Sequence, residues 1–326
     1  MKNNLIPVTV LTGFLGAGKT TLLNRILNEQ HSNKILVIEN EFGEAGIDNA
    51  LLAESIKEQI VVMNNGCICC TVRGDLVKIL GEFREKLQNK ELDFNRVIIE
   101  TTGLADPAPV AQTFFMEPSI ESFYKLDAVV TVVDAVHGSM QLDEHHEAQE
   151  QVGFADRILI SKTDLVEAVA YETLQQRLRS INQRASIKKV HFGETDINEI
   201  LDVNGFNLDD ILKIEPGFLE EDHHEHDDNI KSFVIREKRP YVLDRLEMVM
   251  SMLVQQFGND MLRYKGILNI ENNPKKLVFQ GVHMIMGGHE FSLWPKNAER
   301  ESVMVFIGRD LPERAIRNLL DGCVAI

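Results

Sequence analysis

Apolar residues along the first two thirds of the chain follow two alternating periods. Short aliphatic and β-branched runs at Val8 to Thr12, Lys34 to Glu39, Ile60 to Met63, Arg96 to Glu100, Ala128 to Val133 and Arg157 to Ser161 end in polar or glycine-containing turns, which predicts strands. Val190 closes one further run of this kind. Between them, Lys19 to Asn28, Asp75 to Gln88 and Glu167 to Asn182 repeat apolar positions every three or four residues, the period of amphipathic helices. Strands without clear polar alternation, interleaved with helices, predict βαβ units around a mainly parallel sheet.

The pattern breaks at Glu220 to Asp228, where no residue is apolar. Such a segment has nothing to bury and reads as a solvated linker. Beyond it, Lys231 to Ile235, Met261 to Ile270, Lys276 to Gly281 and Ser302 to Gly308 read as strands, and Leu243 to Gln256 and Leu311 to Leu320 as helices. The expected organisation is an α/β domain over 1–215, an acidic, His-containing linker over 216–230 and a smaller α+β domain over 231–326.

Composition narrows the functional classes. With 326 residues, 44% of them hydrophobic, the chain can bury a core without disulfide or metal staples. Its 34 Lys and Arg against 50 Asp and Glu leave a net charge of −16, which repels phosphate backbones and anionic lipid, so neither nucleic acid nor membrane is an expected partner. The apolar stretch Leu5 to Gly18 imitates a signal-peptide core, but it contains Pro7, follows a single basic residue and runs into Lys19. No apolar run reaches membrane-spanning length. Three of the four cysteines, Cys67, Cys69 and Cys70, fall together, which suits a reducing compartment and metal or redox chemistry, so a cytoplasmic protein is expected. Cys323 stands alone and reads as a packing residue.

Gly13 to Thr20 reads G-F-L-G-A-G-K-T, follows a strand and opens a helix, the context in which G-x-x-x-x-G-K-[ST] forms a phosphate loop. Glycines let successive N–H groups turn toward phosphate oxygens, and the helix N-terminus adds its positive end. Lys19 is expected to neutralise the β and γ phosphates, and the Thr20 hydroxyl to ligate Mg²⁺. Glu100-Thr101-Thr102-Gly103 follows a second strand, with Glu100 as the magnesium carboxylate and the Gly103 N–H as the γ-phosphate sensor. Ser161-Lys162-Thr163-Asp164 follows a third. An Asp there accepts from guanine N1–H and the 2-amino group, which adenine cannot offer, while the Lys162 stem lies over the base. The triphosphate is therefore read as GTP, and Lys19, Thr20 and Glu100 as the catalytic group.

Asn65-Gly66-Cys67-Ile68-Cys69-Cys70 offers two or three sulfurs to a soft or borderline divalent ion. In an extended segment Cys67 and Cys69 share a face and Cys70 points away, so three thiolates on one ion need a turn. A further ligand must come from elsewhere, and Glu39, Glu41 and Glu44 are the candidates, read equally as cargo-metal ligands or as solvated or magnesium-shell carboxylates. His223, His224 and His226 are read either as a low-affinity metal-loading site or as part of a solubilising linker. Asp143 to Glu147, with His145 and His146, reads as a solvated helix face, and His283 as a core or edge histidine in a strand-like run.

Taken in order, G-F-L-G-A-G-K-T-T-L at 13–22, E-N-E-F-G-E at 39–44, N-G-C-I-C-C at 65–70, E-T-T-G at 100–103 and S-K-T-D at 161–164 resemble the CobW-type metallochaperone GTPases, and within them the bacterial YjiA-like branch. The likeness extends to Leu262-Arg263-Tyr264-Lys265-Gly266 and Phe279-Gln280-Gly281-Val282. It implies a P-loop NTPase domain and a slow GTPase whose Cys67, Cys69 and Cys70 bind Zn²⁺, or Co²⁺ or Ni²⁺, for delivery to a client protein. Gly13, Gly16, Ala17, Gly18, Lys19, Thr20 and Thr21 carry over for phosphate and Mg²⁺, Glu100 for Mg²⁺, and Ser161, Lys162 and Asp164 for guanine. Many relatives have Asn where this chain has Ser161, and the smaller side chain gives up an amide contact. The second domain is expected to recognise the client or another copy of the chain. A zinc buffer or sensor with little turnover and a small-molecule P-loop kinase are the competing classes.

Overall fold

The computed structural model of the chain describes residues 5–29, 33–40, 60–63, 72–191, 196, 200–201, 203, 230–295 and 299–325. Two compact units emerge, Met1–Gln176 with Ala185–Phe206, and Arg177–Arg184 with Asn207–Ile326.

In the first unit the described elements run β1 (Ile6–Thr12), α1 (Lys19–Asn28), β2 (Ile35–Asn40), β3 (Ile60–Met63), α2 (Val72–Gln88), β4 (Arg96–Glu100), α3 (Ala108–Met116) and α4 (Pro118–Glu121). They continue as β5 (Tyr124–Asp134), α5 (Gly138–Glu144), α6 (His146–Phe154), β6 (Arg157–Ser161), a 3₁₀ turn at Thr163–Leu165, α7 (Ala168–Ile181) and β7 (Ser186–Lys189). The strands form one sheet in the order β3-β2-β4-β1-β5-β6-β7. Every pairing in it is parallel. Such strands are covered on both faces, which is why β1 and β4 are near-continuous apolar runs. On α1, Leu22, Leu23, Ile26 and Leu27 form a buried stripe at helical spacing, each side chain stabilising the packing by roughly 1.5–3 kcal/mol.

Where the elements differ from the pattern-based expectation, burial of polar groups is the main reason. β5 begins at Tyr124, four residues before the apolar run that predicts it, because Asp127 is buried inside the strand. Arg96 on β4 places Nη1 3.1 Å from Asp127 Oδ2, and the Thr9 hydroxyl on β1 donates to the same oxygen at 3.4 Å. Helix α2 starts at Val72 and carries Gly74 within its first turn. Helix α3 opens on Pro107 and Pro109, which cost nothing in a first turn, where no intrahelical N–H bond is lost.

The second unit holds β8 (Ile230–Glu237), α8 (Leu243–Phe257), β9 (Met261–Leu268), β10 (Lys275–Val282), β11 (Ile285–Leu293), β12 (Ser302–Arg309) and α9 (Glu313–Asp321). Its sheet runs β11-β10-β9-β12-β8 and is antiparallel throughout. Leu246, Met250 and Leu253 of α8 and Ile316 and Leu320 of α9 share a core with Tyr264, Phe279, Met304 and Phe306. Two aromatic residues lie across from glycines, Tyr264 from Gly281 and Phe279 from Gly266. A Cβ on Gly281 would come within 2.0 Å of the Tyr264 ring, and one on Gly266 within 2.5 Å of the Phe279 ring. These glycines supply the space the rings occupy, so R-Y-K-G and F-Q-G are packing motifs. Strand β11 goes unannounced by pattern because Gly287 and Gly288 interrupt its apolar positions. His283, expected in a strand, instead sits in the hairpin turn before β11 with φ 52° and its Nδ1 3.0 Å from the Asn259 carbonyl. Cys323 is buried beyond α9, its thiol donating to the Leu319 carbonyl, and burial pushes its pKa up. That is the packing role expected of it. Among the described residues no helix is long and apolar enough to cross a membrane.

Removing one member of the Arg96–Asp127 pair leaves the other charge buried. Arg96→Met should therefore lower unfolding free energy by about 3–5 kcal/mol in urea titration, and Arg96→Met with Asp127→Leu should recover most of the loss. A double variant no more stable than the single would refute this account.

Candidate functional site

Strand β1 ends at Thr12 and the chain turns through three glycines with positive φ, Gly13 at 141°, Gly16 at 74° and Gly18 at 101°. A Cβ on Gly13 would sit 2.2 Å from the Val132 carbonyl oxygen, so the loop lies directly on β5. At Gly16 and Gly18 the same Cβ would meet nothing within 4 Å. The loop thus touches the sheet on one side and opens on the other. Helix α1 begins at Gly18 with no side-chain cap and no acidic residue in its first turn, which leaves its N–H groups available to an anion.

Lys19 is 8% exposed, and its ammonium group donates to the carbonyls of Gly13 at 2.7 Å and Phe14 at 3.2 Å. Burial lowers its pKa, and the nearby Glu100 charge acts in the opposite direction. The Thr20 hydroxyl donates to Glu100 Oε1 at 3.0 Å. This hydroxyl and carboxylate are hard oxygen donors side by side next to the glycine loop, a donor set that fits Mg²⁺. Glu39 belongs to β2 itself and is buried, which removes the reading of it as a solvated loop carboxylate. It is registered directly opposite Glu100 on the adjacent parallel strand.

After β4, Thr101 is tied to β1 twice, its N–H donating to the Leu11 carbonyl at 2.9 Å and its hydroxyl to the Thr12 hydroxyl at 2.8 Å. Gly103 then passes so close to the phosphate loop that a Cβ there would lie 2.7 Å from the Leu15 backbone nitrogen. Only glycine lets the two loops approach this far.

The third motif meets the same loop. The Ser161 hydroxyl donates to the Ala17 carbonyl at 2.7 Å, so serine ties the base loop to the phosphate loop despite lacking an amide. Lys162 adopts a left-handed conformation at φ 55° and donates from Nζ to Asp134 Oδ2 at 2.6 Å. Asp134, at the end of β5, also accepts from the Val136 N–H at 2.8 Å and has His137 Nδ1 3.0 Å from its Oδ2. Burial alone would raise the Asp134 pKa, but the bonds from Lys162, His137 and Val136 outweigh it and the carboxyl titrates below its usual range. Asp164 lies in the 3₁₀ turn, exposed, with His191 Nδ1 3.3 Å from its Oδ1.

Several of these contacts lie beyond motif reading. Asp134, His137 and His191 belong to no motif, although Asp134 ends a strand of the parallel sheet as Glu100 does, a position where α/β folds place ligand-binding groups. His145, expected on a solvated face, stacks on Phe14 of the phosphate loop with ring centroids 4.5 Å apart. The described residues bring together Gly13, Gly16, Ala17, Gly18, Lys19, Thr20, Glu39, Glu100, Gly103 and Ser161 around the ends of β1, β2, β4 and β6. Cys67, Cys69, Cys70, Glu41, Glu44, His223, His224 and His226 lie outside the described residues.

Comparison with known proteins places this geometry. Residues 7–189 match the CobW/HypB/UreG nucleotide-binding domain, and residues 230–324 match the cobalamin synthesis protein cobW C-terminal domain. The zinc chaperone YjiA of Escherichia coli is 42% identical over 320 residues, covering 98% of this chain and 99% of that protein. The zinc chaperone CobW of Pseudomonas aeruginosa is 31% identical, covering 98% of this chain and 92% of its own. The crystal structure of the Zn(II)-bound YjiA GTPase of E. coli superposes with a TM-score of 0.79 at 36% identity, covering 98% of this chain and 99% of that one.

Asp134 makes a stability prediction with a definite sign. Its lowered pKa contributes stability above the ordinary carboxyl value, and the contribution is lost as pH falls through the lowered one. With Lys162 partly exposed, Asp134→Asn should cost about 1–2 kcal/mol at pH 7 in chemical denaturation. The gap between variant and parent should hold to about pH 5 and close below about pH 4. A gap independent of pH would contradict the assignment.

Proposed function

We propose a function that starts from one fact: this chain belongs to the CobW/HypB/UreG family. It is a GTPase that couples GTP binding and hydrolysis to the binding of a divalent metal, zinc, and its transfer to a client protein. Among its residues, Gly13, Gly16, Ala17, Gly18, Lys19, Thr20 and Thr21 hold the phosphates, and Ser161, Lys162 and Asp164 hold guanine. Thr20 and Glu100 would hold Mg²⁺, which supplies charge neutralisation at the β and γ oxygens when bound. Cys67, Cys69 and Cys70, with Glu39 and Glu44, carry the cargo ion.

The observation that supports coupling most directly is the register of β2 against β4. Glu39 stands beside Glu100, and Glu100 accepts the Thr20 hydroxyl, so the cargo segment begins one residue pair away from the nucleotide site. GTP entering the loop exchanges the carbonyl partners of Lys19 for phosphate oxygens and reorders Thr20 and Glu100, the residues that would hold Mg²⁺. Order at Glu100 is passed to Glu39, and the 39–44 segment then brings its carboxylates toward the thiolates. Water attacks the γ-phosphorus, while Lys19 and backbone N–H groups stabilise the developing charge. Hydrolysis removes the γ-phosphate, relaxes the segment and weakens the cargo site. Turnover by the chain alone is expected to be slow.

Zinc is the cargo because, as a borderline ion, it accepts both soft thiolate and hard carboxylate donors, and cobalt or nickel binding at the same residues is the variant reading. The second unit recognises the client or a second copy of the chain, the acidic stretch 216–230 separates it from the GTPase domain, and the protein works in the cytoplasm.

Two measurements test the proposal. Guanine nucleotide should bind in preference to adenine nucleotide, and Asp164→Ala should reduce that preference by about 10²-fold in fluorescence titration. Zn²⁺ affinity, measured by competition with a chromophoric chelator, should differ by at least about fivefold between GTP-analogue and GDP states. Cys67→Ser should abolish the difference. Equal Zn²⁺ affinity with GTP analogue, GDP and no nucleotide would refute coupling.

A further inference from the structure

We infer that Gln151 is a positioning residue for the turn that meets the γ-phosphate, acting on GTP and not on GDP. The inference rests on the nucleotide-site reading above. Gln151 lies on α6, is 1% exposed, and donates from its single amide nitrogen to the carbonyls of Gly103 at 3.1 Å and Ala105 at 3.0 Å. An amide nitrogen has two hydrogens, and here both serve one turn. The turn closes on itself through the Ala105 N–H, which donates to the Thr102 carbonyl at 3.1 Å. Because the peptide group is planar, holding the Thr102 carbonyl also fixes the direction of the Gly103 N–H.

The helix that presents Gln151 is itself anchored, since the Thr131 hydroxyl on β5 donates to the Gln151 carbonyl at 2.7 Å. The turn is therefore clamped at one end to β1 through Thr101 and at the other to α6 through Gln151. Between the clamps lies Gly103, packed against Leu15 of the phosphate loop. Neighbouring α6 positions Ala148, Val152 and Phe154 are buried apolar residues, and an apolar side chain at 151 would bury equally well. What an amide adds at that position is control of two carbonyls. GDP carries no γ-phosphate for the Gly103 N–H to meet, so loosening the turn weakens GTP binding and leaves GDP binding intact. Gln151 touches no phosphate itself and acts through the turn.

The test uses the full chain with fluorescent GDP and a fluorescent non-hydrolysable GTP analogue, comparing the parent with Gln151→Leu and Gln151→Asn. Gln151→Leu should weaken the GTP analogue about tenfold and change GDP affinity by less than about twofold, with single-turnover hydrolysis slowed in parallel. Gln151→Asn keeps the amide but is one methylene short, and its loss for the analogue should be smaller and confined to the same nucleotide. It also carries the comparison should the leucine variant fail to fold. Equal weakening of both nucleotides, with a lowered Tm, would make Gln151 a structural residue and overturn the inference, as would no change in either. A parent chain that binds neither nucleotide would overturn the function itself, an outcome distinct from failure of the Gln151 role.

Discussion

Parallel pairing is the constraint on which the first unit depends. When every strand of a sheet runs the same way and both faces are covered, the interior accepts little but apolar side chains, and functional groups collect where the strands end. Here that edge carries Glu39 on β2, Glu100 on β4, Gly13 after β1, Asp134 on β5 and Ser161 on β6. Register then decides which of them are neighbours. Leu11 is opposite Glu100, Glu100 opposite Glu39, and Asp134 opposite Ser161, so the phosphate loop, the carboxylates and the S-K-T-D turn sit in adjoining positions although up to about 150 residues separate them.

Charges at such an edge are partly withdrawn from water and persist only with partners. Lys19 holds two loop carbonyls, Thr20 holds Glu100, and Lys162 with His137 and the Val136 N–H holds Asp134. On the function proposed, the same groups can turn to a ligand with little rearrangement, since phosphate oxygens would replace the carbonyl oxygens of Gly13 and Phe14 as acceptors for Lys19. This preorganisation is what makes a buried ammonium useful for charge developing on a phosphoryl group. The helical pair α5 and α6 adds contacts from the far side, with Gln151 on the Gly103 turn and His145 on Phe14. One short segment therefore touches both the phosphate loop and the Gly103 turn.

The second unit answers to a different rule. Its antiparallel sheet is held by aromatic rings lying across glycines of the neighbouring strand, and the hydroxyl of Tyr264 donates to the carbonyls of His283 and Ile285 at the adjoining hairpin. The motif residues there make room for the rings between neighbouring strands. They are a signature of the fold, whereas the motifs of the first unit are a signature of chemistry.

Local features of this chain were open to reading from the sequence. The phosphate loop is eight consecutive residues whose backbone conformation and helix context are dictated by glycines and a following amphipathic stripe, and E-T-T-G and S-K-T-D are recognisable as short polar runs that close apolar strands. The core strands Arg96–Glu100 and Arg157–Ser161 were legible because burial on both faces demands an unbroken apolar run. Pairings between distant residues were not. Asp127 lies outside the apolar run that predicts β5 because its compensating partner Arg96 is 31 residues away, Asp134 and Gln151 belong to no motif because Lys162 and Gly103 lie 28 and 48 residues from them, and the stacking of His145 on Phe14 joins residues 131 apart. Glu39 shows the division most clearly. The sequence offered it as one of three candidate carboxylates for the cargo metal or the magnesium shell, but only the register of β2 on β4 set it beside Glu100, because strand pairing is a long-range choice made by the sheet as a whole.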